Sequence, residues 1–255
     1  MVVQPALDAS SAGQAGFGDD IFTSMHDVIA LDADDTLWRN EDLYRDTQAE
    51  FRALLAHYHD PAWIDARLYE AEMRNLPHFG YGIKAFILSM VETAVELTEG
   101  RITGAEVQRV VELGRAMIQA PIELLDGVHE TVVSLAERHE LVIVTKGDLL
   151  EQESKVERSG LREHFRGVEI VSRKDRRTYE AIARRRGIAP QDFVMVGNSL
   201  RSDVLPVVAM GGLGVHIPYH TTWAHEEVDE EERARHVYVE LQSIRELPEW
   251  IASGA

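Results

Sequence analysis

Short runs of consecutive apolar residues alternate, over much of this chain, with longer stretches whose apolar residues recur every three or four positions. The runs are Val28-Ile29-Ala30-Leu31, Leu141-Val142-Ile143-Val144, Val168-Glu169-Ile170-Val171, Phe193-Val194-Met195-Val196 and Leu213-Gly214-Val215-His216-Ile217. Each is rich in aliphatic or β-branched residues and ends at polar or glycine residues, which predicts five buried strands. Helices are predicted between them. They cover 127–139, the stretch from Asp148 to Gly160, the stretch after Lys174 as far as Arg186, and roughly 202–210. Strands alternating with helices imply a parallel sheet with right-handed crossovers. Reactive residues are then expected at the carboxyl ends of the strands.

The alternation is interrupted after the first strand. Leu43, Phe51, Leu54 and Leu55 share one helical face, and Asp60-Pro61 is a cap-and-proline start for a second helix to about residue 75. The stretch 76–82 reads as a loop rich in aromatics and glycine. Phe86, Ile87, Met90, Val91, Ala94 and Val95 line a third helix, and Thr103 caps a fourth that ends before Pro121. Four helices in succession predict a small helical insertion over 42–120. The surrounding core is expected to comprise 21–41 and 121–255. Residues 1–20, with Ser10, Ser11, Gly13, Gly16 and Gly18, read as a disordered tail. That tail has neither the basic nor the apolar region of a secretory signal.

Composition narrows the partners. The 255 residues include 44 acidic and 26 basic ones, a net charge of −18. Such a field repels nucleic acid and anionic membrane, and no apolar run approaches the ~18 residues of a membrane span. There is no cysteine, hence no disulfide or thiolate metal site. A cytoplasmic protein is expected. Its oligomeric state, a homodimer included, stays open.

The chemistry gathers at the predicted strand ends. The first strand delivers Asp32 and Asp34, two carboxylates on one side of an extended chain. Such a pair calls for a cation or a proton between them. The second strand ends at Thr145, Lys146 and Gly147. Lys174 follows the third. The fourth leads into Asn198 and, one turn later, Asp203. A nucleophile, an acid/base, a hydroxyl, a cation and a metal site are the parts needed for phosphoryl transfer.

In this pattern the chain resembles the haloacid dehalogenase-like hydrolase superfamily, most of whose members are phosphatases. The resemblance spans about 27–217. It rests on Asp32-Ala33-Asp34-Asp35-Thr36, on Thr145, on Lys174, and on Gly197-Asn198-Ser199-Leu200-Arg201-Ser202-Asp203. It implies a Rossmann-like α/β core of strand order 5-4-1-2-3, with a helical cap of the C1 type inserted after the first strand. It also implies a Mg²⁺-dependent phosphatase acting on a small phosphorylated metabolite through an aspartyl phosphate. Asp32 would be the nucleophile and Asp34 the acid/base. Thr145, the Lys146 backbone N–H and Lys174 would hold the phosphoryl oxygens, and Asp32, Asp34, Asn198 and Asp203 the metal. Dehalogenases of the family carry tyrosine where this chain has Asp34, and phosphonatases carry alanine. A phosphotransferase or mutase would use the same residues. A non-enzymatic member would be expected to lose Asp32, Asp34 or Lys174.

Other residues are open to two readings. Trp38 either lines the cleft or packs as core, and Tyr81 and Lys84 are candidates for substrate selection. Lys155 reads as part of a solvated helix face, and the Lys146 side chain is expected to point away from the site. His220, Trp223 and His225 lack a third ligand and read as loop structure. The run 226–235 reads as a solvated charge run. Leu247 and Trp250 are expected to dock a terminal segment. One departure from the family pattern stands out: Asn198 occupies the place of the usual aspartate.

Overall fold

The computed structural model describes residues 28–221 and 223–253; the tail expected over 1–20 lies outside them. Six strands form one parallel sheet in the order β3-β2-β1-β4-β5-β6. They are β1 Val28–Leu31, β2 Glu140–Lys146, β3 Gly167–Val171, β4 Val194–Gly197, β5 Leu213–His216 and β6 Val239–Glu240. The first five follow the expected order, read from the opposite edge. The sixth has two residues and adds to β5 by pairing Val215 with Val239 and His216 with Glu240. So short a strand carries no periodicity to read.

Alternation along β1 explains why the sheet is buried on both faces. Ile29 and Leu31 point into one apolar layer with Ile143, Val196, Leu135 and Leu247. Ala30 points into the other, with Val142, Val144, Met195, Tyr179 and Ile182. Each fully buried aliphatic side chain contributes about 1.5–3 kcal/mol relative to exposure. The docked terminal segment belongs to the first layer: Leu247 is buried there and Trp250 packs against it.

Of the five helices between β1 and β2, the first four form the insertion: α1 Glu41–Leu55, α2 Pro61–Phe79, α3 Ile83–Leu97 and α4 Gly104–Gln119. Their apolar faces meet in a separate layer that includes Phe51, Leu55, Ile64, Leu68, Phe86, Met90 and Leu113. The reciprocal Thr103–Glu106 capping box opens α4. The expected loop over 76–82 is shorter than predicted, because α2 runs on through Pro77 to Phe79. Asn75 Nδ2 donates to Ser89 Oγ at 3.2 Å and Glu92 Oε2 at 2.6 Å, and so ties this last stretch to α3. Tertiary hydrogen bonds here override the local helix-breaking signal. What remains of the loop is Gly80-Tyr81-Gly82.

The remaining helices are α5 Val128–Ala136, α6 Leu149–Arg158, α7 Arg176–Arg186, α8 Leu205–Ala209, α9 Glu230–Ala234 and α10 Leu247–Ala252. A π-helical turn, Leu200–Val204, precedes α8 where an ordinary helix start was expected. Single π turns are frequent at functional sites. Among the described residues no helix is long and apolar enough to cross a membrane.

Candidate active site

The carboxyl ends of β1, β2 and β4 and the helical insertion enclose a cavity of about 180 Å³. Asp32, Asp34, Thr145, Lys174, Asn198 and Asp203 all line it. Six residues scattered over 172 positions meet because four parallel strands end at one edge of the sheet. Asp32 is held there by its own N–H, which donates to Val196 O at 2.9 Å.

The Lys174 ammonium forms a buried ion pair with Asp32 and lies 2.6 Å from Asp203 Oδ1. Burial works against the lysine's charge, but Asp203 and Asp32 outweigh it and push the Lys174 pKa up. Burial also pushes Asp32 up from the usual carboxylate range; Asp203 adds to this and Lys174 opposes it. Asp203 reaches this position because Gly197 has no side chain. A Cβ at 197 would lie 2.3 Å from Asp203 Oδ2. That oxygen instead accepts from the Ser199 N–H at 3.0 Å.

Each carboxylate of the first motif has its own lysine. Asp32 takes Lys174, and Asp34 takes Lys155. The Lys155 ammonium lies 3.0 and 3.1 Å from the Asp34 oxygens. Gln152 Nε2 donates to Asp34 at 2.9 Å and Trp38 Nε1 at 2.7 Å. Lys155 is thus buried in the site rather than part of a solvated face. Trp38 is fully buried in the core and does not line the cavity. Its indole N–H holds Asp34 from the core side. The helix pattern carried a signal for this. Asp148, Glu151, Gln152 and Lys155 fall on one face of α6, and the apolar Leu149 and Leu150 are exposed. A helix that turns its polar stripe inward faces a polar site.

Asp35, next in the motif, closes the turn instead of joining the chemistry. It adopts a left-handed conformation, with φ 62°. Its carboxylate accepts from the backbone N–H groups of Asn40 and Glu41, and so fixes the entry into α1.

The oxygen donors fit a hard divalent cation. Thr36 Oγ1 lies 3.1 Å from Asp32 Oδ2 and 3.2 Å from Asn198 Oδ1, and it accepts from the Asn198 N–H at 3.1 Å. Its single proton can serve only one of those two oxygens, and the charged one binds it more strongly. That leaves Asn198 Oδ1 short of a donor, beside Asp32 and on the cavity wall. Among the described residues no three acidic, histidine or cysteine side chains form a metal cluster by themselves. Asn198 Oδ1 and the nearby main-chain carbonyls would be the further oxygen donors open to a metal beside Asp32 and Asp203.

The family model for haloacid dehalogenase-like hydrolases matches residues 26–211. A haloacid dehalogenase-like family hydrolase from Xanthomonas campestris is 41% identical, over 90% of this chain and 92% of its own, with a TM-score of 0.79. The chain belongs to the haloacid dehalogenase-like hydrolase family. Among more distant structures, the HAD-hydrolase YfnB of Bacillus subtilis, bound to magnesium, is 15% identical with a TM-score of 0.61. It is matched over 89% of this chain and 98% of its own. The 2-haloacid dehalogenase of Pseudomonas syringae pv. Tomato DC3000 is 20% identical with a TM-score of 0.60, over 90% and 100%. At these identities the likeness is one of fold. No curated protein matches the sequence.

In this HAD-family hydrolase the rest of the cavity wall comes from the helical insertion and from the chain after β5. Tyr81 lines the cavity, between glycines that both have positive φ. Burial pushes its phenol up, aided by Glu226 and opposed by Arg173. Lys84 does not line the cavity; it pairs with Asp148 at 2.7 Å on the surface. The Ile83 N–H donates to Glu151 Oε2 at 2.8 Å. A Cβ on Gly82 would lie 2.9 Å from that oxygen, so glycine permits this tie between insertion and core.

The Lys146 side chain points into the site, not away from it. It pairs with Glu226, lies 2.9 Å from Ser202 Oγ and stands 4.3 Å from the Tyr81 ring centroid. Burial works against Glu226's charge, but Lys146, Ser199 and Ser202 together hold it down at about 2. The expected charge run therefore starts with a residue of the site. Trp223, expected as plain loop, also lines the cavity and meets the Tyr81 ring edge-on at 6.1 Å. His220 binds Asp42 at 3.1 Å. Glu41 and Glu72, on the insertion, complete the wall; burial raises them to about 7 and about 8.

Proposed function

We propose that this hydrolase is a Mg²⁺-dependent phosphatase that cleaves a small phosphate monoester through an aspartyl phosphate on Asp32. The observation that carries the reading is the pair of carboxylates, Asp32 and Asp34, lining one cavity with separate lysine partners. One carboxylate can then attack while the other moves a proton. A dehalogenase would have no proton-transfer role for Asp34.

In the first step an Asp32 oxygen bonds to phosphorus as the phosphorus–alkoxide bond breaks, and Asp34, which must enter this step protonated, gives that proton to the departing alkoxide. In the second, water attacks phosphorus, Asp34 takes its proton, and the Asp32–phosphorus bond breaks to release phosphate. Thr145 and the Lys146 backbone N–H donate to the phosphoryl oxygens, and Lys174 holds the nucleophile facing them. Asp32, the main-chain carbonyl of Asp34, Asn198 and Asp203 would hold Mg²⁺, which when bound neutralises phosphoryl charge. The helical insertion acts as the cap, and its Tyr81 loop excludes water from the cavity. The strongly negative chain suits a small metabolite better than nucleic acid or a membrane.

The test is phosphate release from a panel of phosphorylated metabolites with Mg²⁺, run beside chloride release from 2-chloropropionate. Wild-type protein should release phosphate from at least one ester, and Asp32→Asn should release none. Chloride release without phosphate release would overturn the reading.

A further inference from the structure

The cavity wall contains a carboxylate-binding site that the chain fills itself. Of the residues lining the cavity among those described, Lys146 and Lys174 are the basic ones. Lys174 is taken up by Asp32 and Asp203. Lys146 is the remaining cation, and Glu226 neutralises it. The Glu226 carboxylate is gripped by the Lys146 ammonium and by the Ser202 and Ser199 hydroxyls, the last at 2.6 Å. Three donors converging on one carboxylate would serve equally well for a carboxylate or a second phosphate on a substrate.

Glu226 lies beyond residue 211, where the family match ends. It is brought in by the segment that crosses the cavity after β5 and also supplies Trp223. Both partners are largely buried, with side chains 17% and 10% exposed. Their pairing is therefore little screened by solvent. Glu41 and Glu72 also line the cavity; burial favours their neutral forms, so neither offers a counter-charge to a second anion.

We propose that Glu226 is a specificity-determining residue: by occupying the Lys146–Ser199–Ser202 site it restricts the enzyme to phosphate monoesters whose alcohol portion carries no second anionic group. The proposal rests on the phosphatase reading for its substrate class. It requires that a second anion be rejected because its binding site is filled and its charge is opposed. Neutralising Glu226 leaves the two serines and the ammonium free to receive that anion.

The experiment uses two matched pairs: ethyl phosphate with phosphoglycolate, and propyl phosphate with 3-phosphooxypropionate. For wild type, Glu226→Gln, Lys146→Met and the double variant, kcat/KM is measured for each ester. Binding of the same four compounds is measured by calorimetry with Asp32→Asn added to each protein. Wild type should favour the neutral member of each pair. Glu226→Gln should raise the ratio of anionic to neutral ester by about tenfold or more, and adding Lys146→Met should return it towards wild type. A merely structural Glu226 would lower both members together and leave the ratio where it was; that result overturns the proposal. Wild type favouring the anionic members overturns it too. If wild type turns over none of the four but the calorimetric ratio shifts as stated, the phosphatase reading fails and the assignment of Glu226 stands. If turnover occurs with an unmoved ratio, the assignment fails and the phosphatase reading stands. Absence of both turnover and binding overturns both.

Discussion

The Lys155 ammonium lies 3.0 and 3.1 Å from the two oxygens of Asp34, 3.2 Å from Glu151 and 2.8 Å from Asn40 Oδ1. It is one of the least exposed cations in the protein, and it aims the carboxylate to which the proton transfers are assigned. Removing it leaves two largely buried carboxylates without their counter-charge. Lys155→Met should therefore lower stability by about 3–5 kcal/mol. Adding Asp34→Asn should recover part of that loss, because one of the stranded charges disappears. Urea unfolding of the two single variants and the double variant checks this. Strict additivity would mean that the two side chains are not energetically coupled. In assays Lys155→Met should lower kcat by about a hundredfold with little change in KM, the mark of a residue that positions a proton donor.

Metal binding can be read without turnover. If Asp32, Asn198 and Asp203 hold Mg²⁺, the ion binds the folded chain and raises Tm as its concentration increases. Asp203→Asn should abolish that rise, and Asn198→Asp should steepen it by adding a charged ligand. Each comparison is made within one variant, with and without Mg²⁺, so the variant's own stability drops out. An undiminished Mg²⁺ response in Asp203→Asn would remove Asp203 from the metal site.

Glu72 makes stability depend on pH. Burial raises its pKa from 4.5 to about 8, with Glu41 adding to the shift. Below about pH 4.5 the residue is protonated in both folded and unfolded chains and carries no penalty. Between there and about pH 8 the unfolded chain ionises while the folded one resists, so stability falls as pH rises. Glu72→Gln should flatten this decline and be more stable than wild type at pH 8. Urea midpoints at pH 5 and pH 8 decide it, and a parallel offset at both values would refute the linkage.

Tyr81 and Lys84 are neighbours in sequence with different expected effects. Tyr81 lines the cavity, so Tyr81→Ala should raise KM for the ester found by screening more than for methyl phosphate. Lys84 makes a largely solvated pair with Asp148. Lys84→Ala should cost about 0.5 kcal/mol and move KM less than threefold for either substrate. A large KM effect at Lys84 would mean that its pair with Asp148 controls the cap.

The apolar runs were enough to give five strands, their parallel pairing and the edge at which chemistry collects, because each pattern is local and a buried parallel strand must be nearly continuous in apolar residues. Asp32, Asp34, Thr145, Lys174 and Asp203 could be named for the same reason: each sits at a strand end or one turn beyond it. β6 could not, since two residues have no period. Nor could the partners of these side chains. Lys155, Lys146 and Glu226 look in sequence like ordinary surface charges, and only the packing of α6 and of the segment after β5 against the cavity buries them. Burial is what gives an ion pair its strength, and it depends on which segments fold over it rather than on the residue's neighbours in the chain. Gly197 illustrates the same division. A glycine ending a strand is visible at once in the sequence, but that it makes room for Asp203 depends on a π-helical turn whose first residue is three positions further on.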